Sequence, residues 1–301
     1  MGTAPTLAIG LVQGNIPTRQ KLTPAGIQLA IQRYAQGFDE LANAGADAVL
    51  LPEGALPLVW SRDRDRFAAP LLGAIAAHPN SQLWLGSFET APEASSSNPS
   101  SPSFTQSLLA LDAKGQAKGR YDKIKLVPLG EYIPGEALLQ SVVGRLSSLP
   151  QGMVPGDRAQ RFQTRWGTAA AMICYEPAFS HVIRQQIAAG GQWITNSANL
   201  DPYSPVLMAQ SEAQDVMRAI EGDRWLVRAT NTGYSGVISP LGQVLWRSPA
   251  RIQVTHLARI YPRQTQTPYV RWGDWPMPLL LGLALWGRFR PGPMTTRTGR
   301  E

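Results

Sequence analysis

The sequence predicts a mixed α/β fold, a sheet covered by helices. Short apolar runs of strand length alternate with longer stretches of helical periodicity through the early and middle chain, and pairs of strands joined by tight turns interleave with them. The chain has 301 residues, 44% of them hydrophobic, which is ample for one large core, and layered α/β folds reach this length as a single unit.

Leu7 to Val12 form the first apolar run, a buried strand. Ile27, Ile31, Tyr34, Phe38 and Leu41 then recur at spacings of four and three with polar residues between them, which predicts an amphipathic helix stopped at Gly45. Ala46 to Leu51 is the next strand, closing into Pro52-Glu53-Gly54, and a second helix is expected over Arg64 to Ala77. Gln82 to Phe88 reads as a strand, and Pro92 to Ser103, rich in Ser and Pro, as a solvated loop. Strands follow at Thr105 to Ala110 and Ala117 to Lys125 around Lys114-Gly115, then at Gln160 to Arg165 and Thr168 to Cys174 around Trp166-Gly167. A helix over Ser180 to Ala189, a strand over Gln192 to Thr195 and a helix over Val206 to Glu221 come next, the last with Ala209, Ala213, Val216 and Ile220 on its apolar face. Strands at Trp225 to Ala229, Tyr234 to Ser239 and Val244 to Trp246 complete the body, the last two around Pro240-Leu241-Gly242.

The end of the chain differs in character, and we divide it into a body over 1–262 and a C-terminal segment over 263–301. Trp275 to Gly287 carries no charge, but its 13 residues fall short of the ~20 that cross a bilayer as a straight helix. Trp272, Trp275 and Trp286 bracket the run as interfacial aromatics do, and Arg288 and Arg290 follow it, as in a cytoplasmic flank, so membrane contact is expected.

Composition narrows the function. The formal charge is +7, but the basic residues are scattered through the body and concentrate only at the C-terminus (Arg288, Arg290, Arg297, Arg300), so nucleic acid is not the expected partner. One cysteine excludes an intrachain disulfide, and with His78, His181 and His256 far apart no zinc site is expected; the chemistry should need no metal or cofactor. The N-terminal stretch lacks the basic start and long apolar run of a signal peptide.

Three residues stand out. Cys174 ends the apolar run Thr168 to Ile173 and precedes Tyr175-Glu176-Pro177, so its thiol sits at the C-terminal edge of a strand, where open α/β sheets place ligands. A lone cysteine is more often a small buried hydrophobe. Glu53 ends the strand before it in the same way; its ordinary reading is a solvated turn acid. Lys123, in Tyr121-Asp-Lys-Ile-Lys125, is otherwise a surface lysine with Lys125 as its twin. Together they meet a chemical need. A cysteine nucleophile requires a base, and no histidine stands in a comparable turn. Proton transfer from a free thiol to a free carboxylate is uphill by ~4 pK units, or ~6 kcal/mol. A buried site with a neighbouring cation removes that obstacle, and lysine supplies the cation.

The segments Leu51-Pro-Glu53-Gly-Ala-Leu-Pro57, Tyr121-Asp-Lys123-Ile-Lys-Leu-Val-Pro-Leu-Gly-Glu131-Tyr-Ile-Pro134 and Ile173-Cys174-Tyr175-Glu176 resemble the nitrilase (carbon–nitrogen hydrolase) superfamily. More narrowly, they are similar to its apolipoprotein N-acyltransferase branch, as are Gly10 to Asn15, Arg218 to Glu221, Arg228 to Gly233 and Thr267 to Asp274. The resemblance covers almost the whole chain. It implies an αββα four-layer sandwich with Glu53 as general base, Lys123 as oxyanion stabiliser and Cys174 as nucleophile. It implies Glu131 as a second supporting acid, and Tyr175 and Glu176 as residues that position nucleophile and substrate. The implied reaction moves an acyl chain from a phospholipid donor, through a Cys174 thioester, to the α-amine of a diacylglyceryl-cysteine on a lipoprotein acceptor, at a bacterial inner membrane with the body facing the periplasm.

Two departures accompany it. A bundle of membrane helices usually precedes this domain, whereas this sequence opens on the first strand, so a separate membrane-helix partner or a longer chain is implied. The stretch Thr195 to Tyr203 differs from the Asn-Asp-Ala-Trp type common in the branch, with Tyr203 standing for the aromatic. The alternative readings are a soluble amidase of the same superfamily acting on a small carbon–nitrogen substrate, in which water resolves the thioester, and a non-enzymatic fragment that keeps only the fold.

Overall fold

The computed structural model describes residues 6–91, 103–128, 130–131 and 153–289. The Ser/Pro-rich stretch 92–102, the tail from 290 and the motif residues from 132 lie outside them.

The described residues form two six-stranded sheets rather than one. In the first, β1 (Leu7–Gln13), β2 (Ala48–Leu50) and β3 (Gln82–Thr90) run parallel, and β4 (Phe104–Leu111) and β5 (Ala117–Asp122) extend it as antiparallel hairpins. β12 (Val254–Ile260) closes its other edge antiparallel to β1, in the order β12-β1-β2-β3-β4-β5. The second sheet has β7 (Gly167–Ile173), β8 (Ile194–Ala198) and β9 (Leu226–Thr230) parallel at its centre. β6 (Phe162–Thr164) flanks one side, and β10 (Gly236–Ile238) and β11 (Val244–Arg247) the other.

Residue parity divides the core into layers, because successive strand side chains point to opposite faces. Leu7, Ile9, Leu11, Leu50 and Trp84 of the first sheet meet Ala169, Ala171, Ile173, Val227 and Ala229 of the second. The small alanines of β7 leave room for Trp84, which stacks on Trp193 at 6.1 Å and meets Phe162 edge-on. The alternate residues Val49, Leu51, Leu83 and Leu85 pack under α2 (Pro24–Asn43), α3 (Trp60–Phe67) and α4 (Ala69–Ala77). Ala170, Met172, Ile194 and Leu226 pack under α5 (Ser180–Ala188) and α6 (Pro205–Gly222). The result is the αββα sandwich that the resemblance implies.

Several expectations shift. The single helix over Arg64 to Ala77 is two, α3 and α4, broken at Ala68 because Pro70 starts a new helix and disfavours helical backbone before it. β5 stops at Asp122, leaving Lys123 just beyond the strand, and Lys125 lies over the Phe179 ring, so the two lysines are not twins. The strand expected over Gln192 to Thr195 runs instead over Ile194–Ala198, because the polar Asn196 and Ser197 are buried and hydrogen-bonded. β12 has no strong apolar alternation, and its partner lies at the other end of the chain, Leu7 opposite Ile260.

The largest reversal is α6. Ala209, Ala213 and Ile220 are exposed, and the buried face carries Met208, Glu212, Asp215 and Arg218. Asp215 ion-pairs with the buried Arg228 of β9 at 2.5 Å and accepts from Asn196 of β8. Both central strands present polar groups to the helix, so the helix answers with charge.

The C-terminal segment starts on the body. Four-residue α1 (Thr18–Lys21) lies near the N-terminus, and α7 (Pro268–Trp272) packs against α5 and α6 through buried Val270, the Tyr269–Ser180 hydrogen bond and the Thr267–Glu221 hydrogen bond. α8 (Pro276–Phe289) follows. Met277, Leu280, Leu281, Leu283 and Leu285 are all exposed on it. Among the described residues no helix is long and apolar enough to cross a membrane.

Candidate active site

Lys123 and Cys174 lie immediately after β5 and β7, and Glu53 lies three residues after β2, so all three come from the two sheets to one end of the sandwich. Glu53 sits in a sharp turn with Gly54 at φ 52°. Strand β3 passes flush against this turn, since a Cβ on Gly86 would lie 2.0 Å from the Pro52 carbonyl oxygen. That contact fixes the direction in which Glu53 leaves its strand. Cys174 itself has φ 57°, a left-handed conformation that costs a side-chain-bearing residue ~1–3 kcal/mol. The turn tips the thiol out of the strand direction while the Cys174 N–H still donates to the Ser197 carbonyl at 3.0 Å. Ser197 Oγ in turn donates to the Leu51 carbonyl at 2.9 Å, tying the second sheet to the strand end that carries Glu53.

Lys123 is fully buried, and its Nζ donates to Glu53 Oε1 at 2.8 Å and to Glu131 Oε1 at 2.5 Å. Glu53 Oε2 accepts from the Asn199 N–H at 3.1 Å, and Glu131 Oε2 from the Val127 N–H at 2.9 Å. Both carboxylates are thus held at both oxygens. Burial works against the Lys123 charge, but Glu53 foremost, with Cys174 and Glu131, holds the ammonium well above its ordinary value. Burial raises the Glu131 carboxyl, with Lys123 opposing it. The Cys174 thiol is pushed up by burial and then by the Glu53 charge, against the pull of Lys123. The resting site therefore holds a protonated thiol beside a proton acceptor.

Glu176 is fully buried, and both its oxygens are engaged. Its Oε2 accepts from Tyr121 Oη at 2.9 Å and the Ile173 N–H at 2.7 Å, and its Oε1 accepts from the N–H groups of Ile124 and Lys125 at 2.6 and 3.1 Å. One carboxyl thereby joins the residue before Cys174 to the residues after Lys123. Burial pushes it up to about 7 despite these donors. Arg218 of α6 donates to the Pro177 carbonyl at 2.7 Å and holds the same turn from outside. Tyr175, next to Cys174 in the chain, is 39% exposed and edge-on to Phe179. Tyr203 is half-buried, and its hydroxyl is raised by burial and then by the nearby Cys174 and Glu53.

The site therefore contains the named trio together with Glu131. Three supports were given no role by the sequence: the Asn199 backbone, Tyr121 and Ser197. A backbone donor leaves no trace in residue type, and the Tyr121 ring could as well be core.

Residues 8–267 match the carbon-nitrogen hydrolase family model. The chain belongs to the carbon–nitrogen hydrolase family. Within it, a protein of Thermosynechococcus vestitus named apolipoprotein N-acyltransferase is 50% identical over 92% of this chain and 52% of its own length. One of the same name from Nostoc sp. is 47% identical over 93% of this chain and 54% of its own length. The chain spans about half the length of these curated relatives. Among solved structures of carbon–nitrogen hydrolase fold, an amidase from Nesterenkonia sp. superposes with a TM-score of 0.61 at 19% identity, covering 91% of this chain and 96% of its own. Saccharomyces cerevisiae Nit3, of the nitrilase superfamily, does so with 0.60 at 14% identity, covering 91% and 95%. Both likenesses concern the fold.

Proposed function

We propose that this chain is the catalytic part of an apolipoprotein N-acyltransferase, with Glu53, Lys123 and Cys174 as its catalytic residues. The observation that carries the reading is the buried Glu53–Lys123–Glu131 ion cluster around the one cysteine, in a chain about half-identical to relatives of that name.

The residues support the following chemistry. Glu53 takes the thiol proton as sulfur attacks the ester carbonyl of a phospholipid, so that no free thiolate has to form against the upward push on the thiol. Lys123 lies against the developing oxyanion, and such a donor is worth ~100–1000-fold in rate. When the tetrahedral adduct collapses, Glu53 returns its proton to the departing lysophospholipid oxygen, leaving an S-acyl thioester. The α-amine of a diacylglyceryl-cysteine then attacks the thioester. Glu53 takes the amine proton and delivers it to the departing sulfur, restoring the thiol. Glu131 keeps Lys123 in place, and Glu176 holds the turn that carries Cys174, with Tyr175 at the mouth where substrate enters.

We assign the C-terminal segment, 263–301, to membrane association. Its exposed apolar helix α8, with Trp272 and Trp275 at its start and Arg288 near its end, suits a lipid interface. The body would face the periplasm from the inner membrane. The remainder of a longer chain, or a separate membrane-helix partner, would complete the enzyme.

The reading is tested by incubating the protein with phospholipid vesicles and a diacylated lipopeptide. One additional acyl chain on the lipopeptide amine is expected, and none with Cys174→Ser. Hydrolysis of small amides without any transfer from phospholipid would instead favour a hydrolase.

A further inference from the structure

Lys21 is a buried cation at this site that the chemistry above does not use. It ends α1 and is only 3% exposed, yet among the described residues its ammonium has no hydrogen-bond or ion-pair partner. Its stem is buried while its three N–H donors meet no acceptor among the described residues, so they are free for an acceptor that arrives from outside.

Its position is fixed by a chain of contacts. Asn199, whose N–H donates to Glu53 Oε2, also donates through Nδ2 to Thr18 Oγ1 at 2.9 Å. The Thr18 N–H donates to Asp201 Oδ2 at 2.8 Å. Helix α1 is therefore tied to the Oε2 side of Glu53, and Lys123 occupies the Oε1 side. Glu53 and Asp201 are the charges that Lys21 feels most, but neither comes within ion-pairing distance. Burial lowers the ammonium to about 8, which leaves it mostly protonated at neutral pH.

We propose that Lys21 is a specificity-determining residue whose ammonium receives the headgroup phosphodiester of the acyl donor, on the side of Glu53 opposite Lys123. The inference rests on the acyl-transfer reading and deepens it. Of the two substrates of that reaction, the acceptor presents an amine, which a cation repels. The donor carries an anion a few bonds from the ester that reacts. Three unused N–H donors on Lys21 match the free oxygens of a phosphodiester, and the division of labour is clear: one lysine for the reacting carbonyl, another for the headgroup.

The test is a ratio measured within each variant. Thioester formation on Cys174 is followed by intact-protein mass spectrometry with dioleoylphosphatidylglycerol or dioleoylglycerol, each in the same neutral detergent micelles. The wild-type protein is expected to react faster with the phospholipid. In Lys21→Met the ratio of the two rates should fall about tenfold, and Lys21→Arg should restore most of it. Because each variant is its own control, partial loss of folded protein does not alter the ratio. An unchanged ratio in Lys21→Met, or a wild-type ratio of one, overturns the role of Lys21 alone. If neither lipid acylates Cys174 in the wild-type protein, the acyl-transfer reading falls and takes this inference with it.

Discussion

Lys123 has no access to solvent and serves two carboxylates at once, so its replacement separates catalysis from stability. Lys123→Met should slow acylation of Cys174 by ~100–1000-fold and destabilise the fold by ~3 kcal/mol, because Glu53 and Glu131 then face each other without a counter-charge. Adding Glu131→Gln removes one of those charges, and the double variant should regain melting temperature but not activity. Equal recovery of both would show that Lys123 is structural only. Glu176 gives a prediction in pH. Its folded value, about 7, lies above its unfolded one, so the stability it contributes is full below ~4.5 and is lost as pH rises through 7. The melting temperature of the wild-type protein, relative to that of Glu176→Gln, should therefore decline between pH 5 and 8; a flat or rising difference would contradict the assignment. At this scale the sequence was informative where chemistry demands a residue type. Glu53 and Cys174 stand out because each ends an apolar run with a reactive group, and Lys123 because such a pair needs a cation. Lys21 is not, since nothing in Thr18-Arg-Gln-Lys21 distinguishes a buried lysine from a solvated one.

Element identity was readable and element orientation was not always so. The amphipathic pattern of α2 buries Ile31, Tyr34, Phe38 and Leu41, as its spacing predicts. Of the predicted apolar face of α6 only Val216 packs on the core, and Ala209, Ala213 and Ile220 are exposed, because apolar periodicity gives no weight to a buried ion pair such as Asp215–Arg228. Arg228→Met should cost ~3–5 kcal/mol in unfolding free energy by leaving the buried Asp215 carboxylate without a counter-charge, whereas Arg228→Met with Asp215→Leu should recover most of it. Chemical denaturation of the two variants checks this; similar loss in both would mean that packing of α6, not the charge, sets the cost. Helix α8 makes a different prediction. Leu280→Glu with Leu281→Glu should reduce sedimentation with anionic phospholipid vesicles by about tenfold or more, since each apolar side chain lost from the interface removes ~1.5–3 kcal/mol. Undiminished binding would move the lipid-facing surface elsewhere.

The molecule as a whole works because two sheets deliver reactive groups to one end. Glu53 and Lys123 leave the first sheet, Cys174 leaves the second, and the Ser197–Leu51 and Glu176–Ile124 hydrogen bonds lock the two together beside Cys174. Local patterns disclose strands and their order, but pairing across ~250 residues, as between β1 and β12, leaves no mark on either segment; hence two six-stranded sheets could not be told from one mixed sheet by periodicity alone. The measurement that bears most directly on the convergence of the three residues is intact-protein mass spectrometry after brief exposure to phospholipid vesicles. A single acyl chain should appear on Cys174, its formation sharply slowed in Glu53→Gln and in Lys123→Met. An acyl adduct that forms on Cys174 at the wild-type rate in both variants, or that never forms on Cys174 in the wild-type protein, would contradict the account.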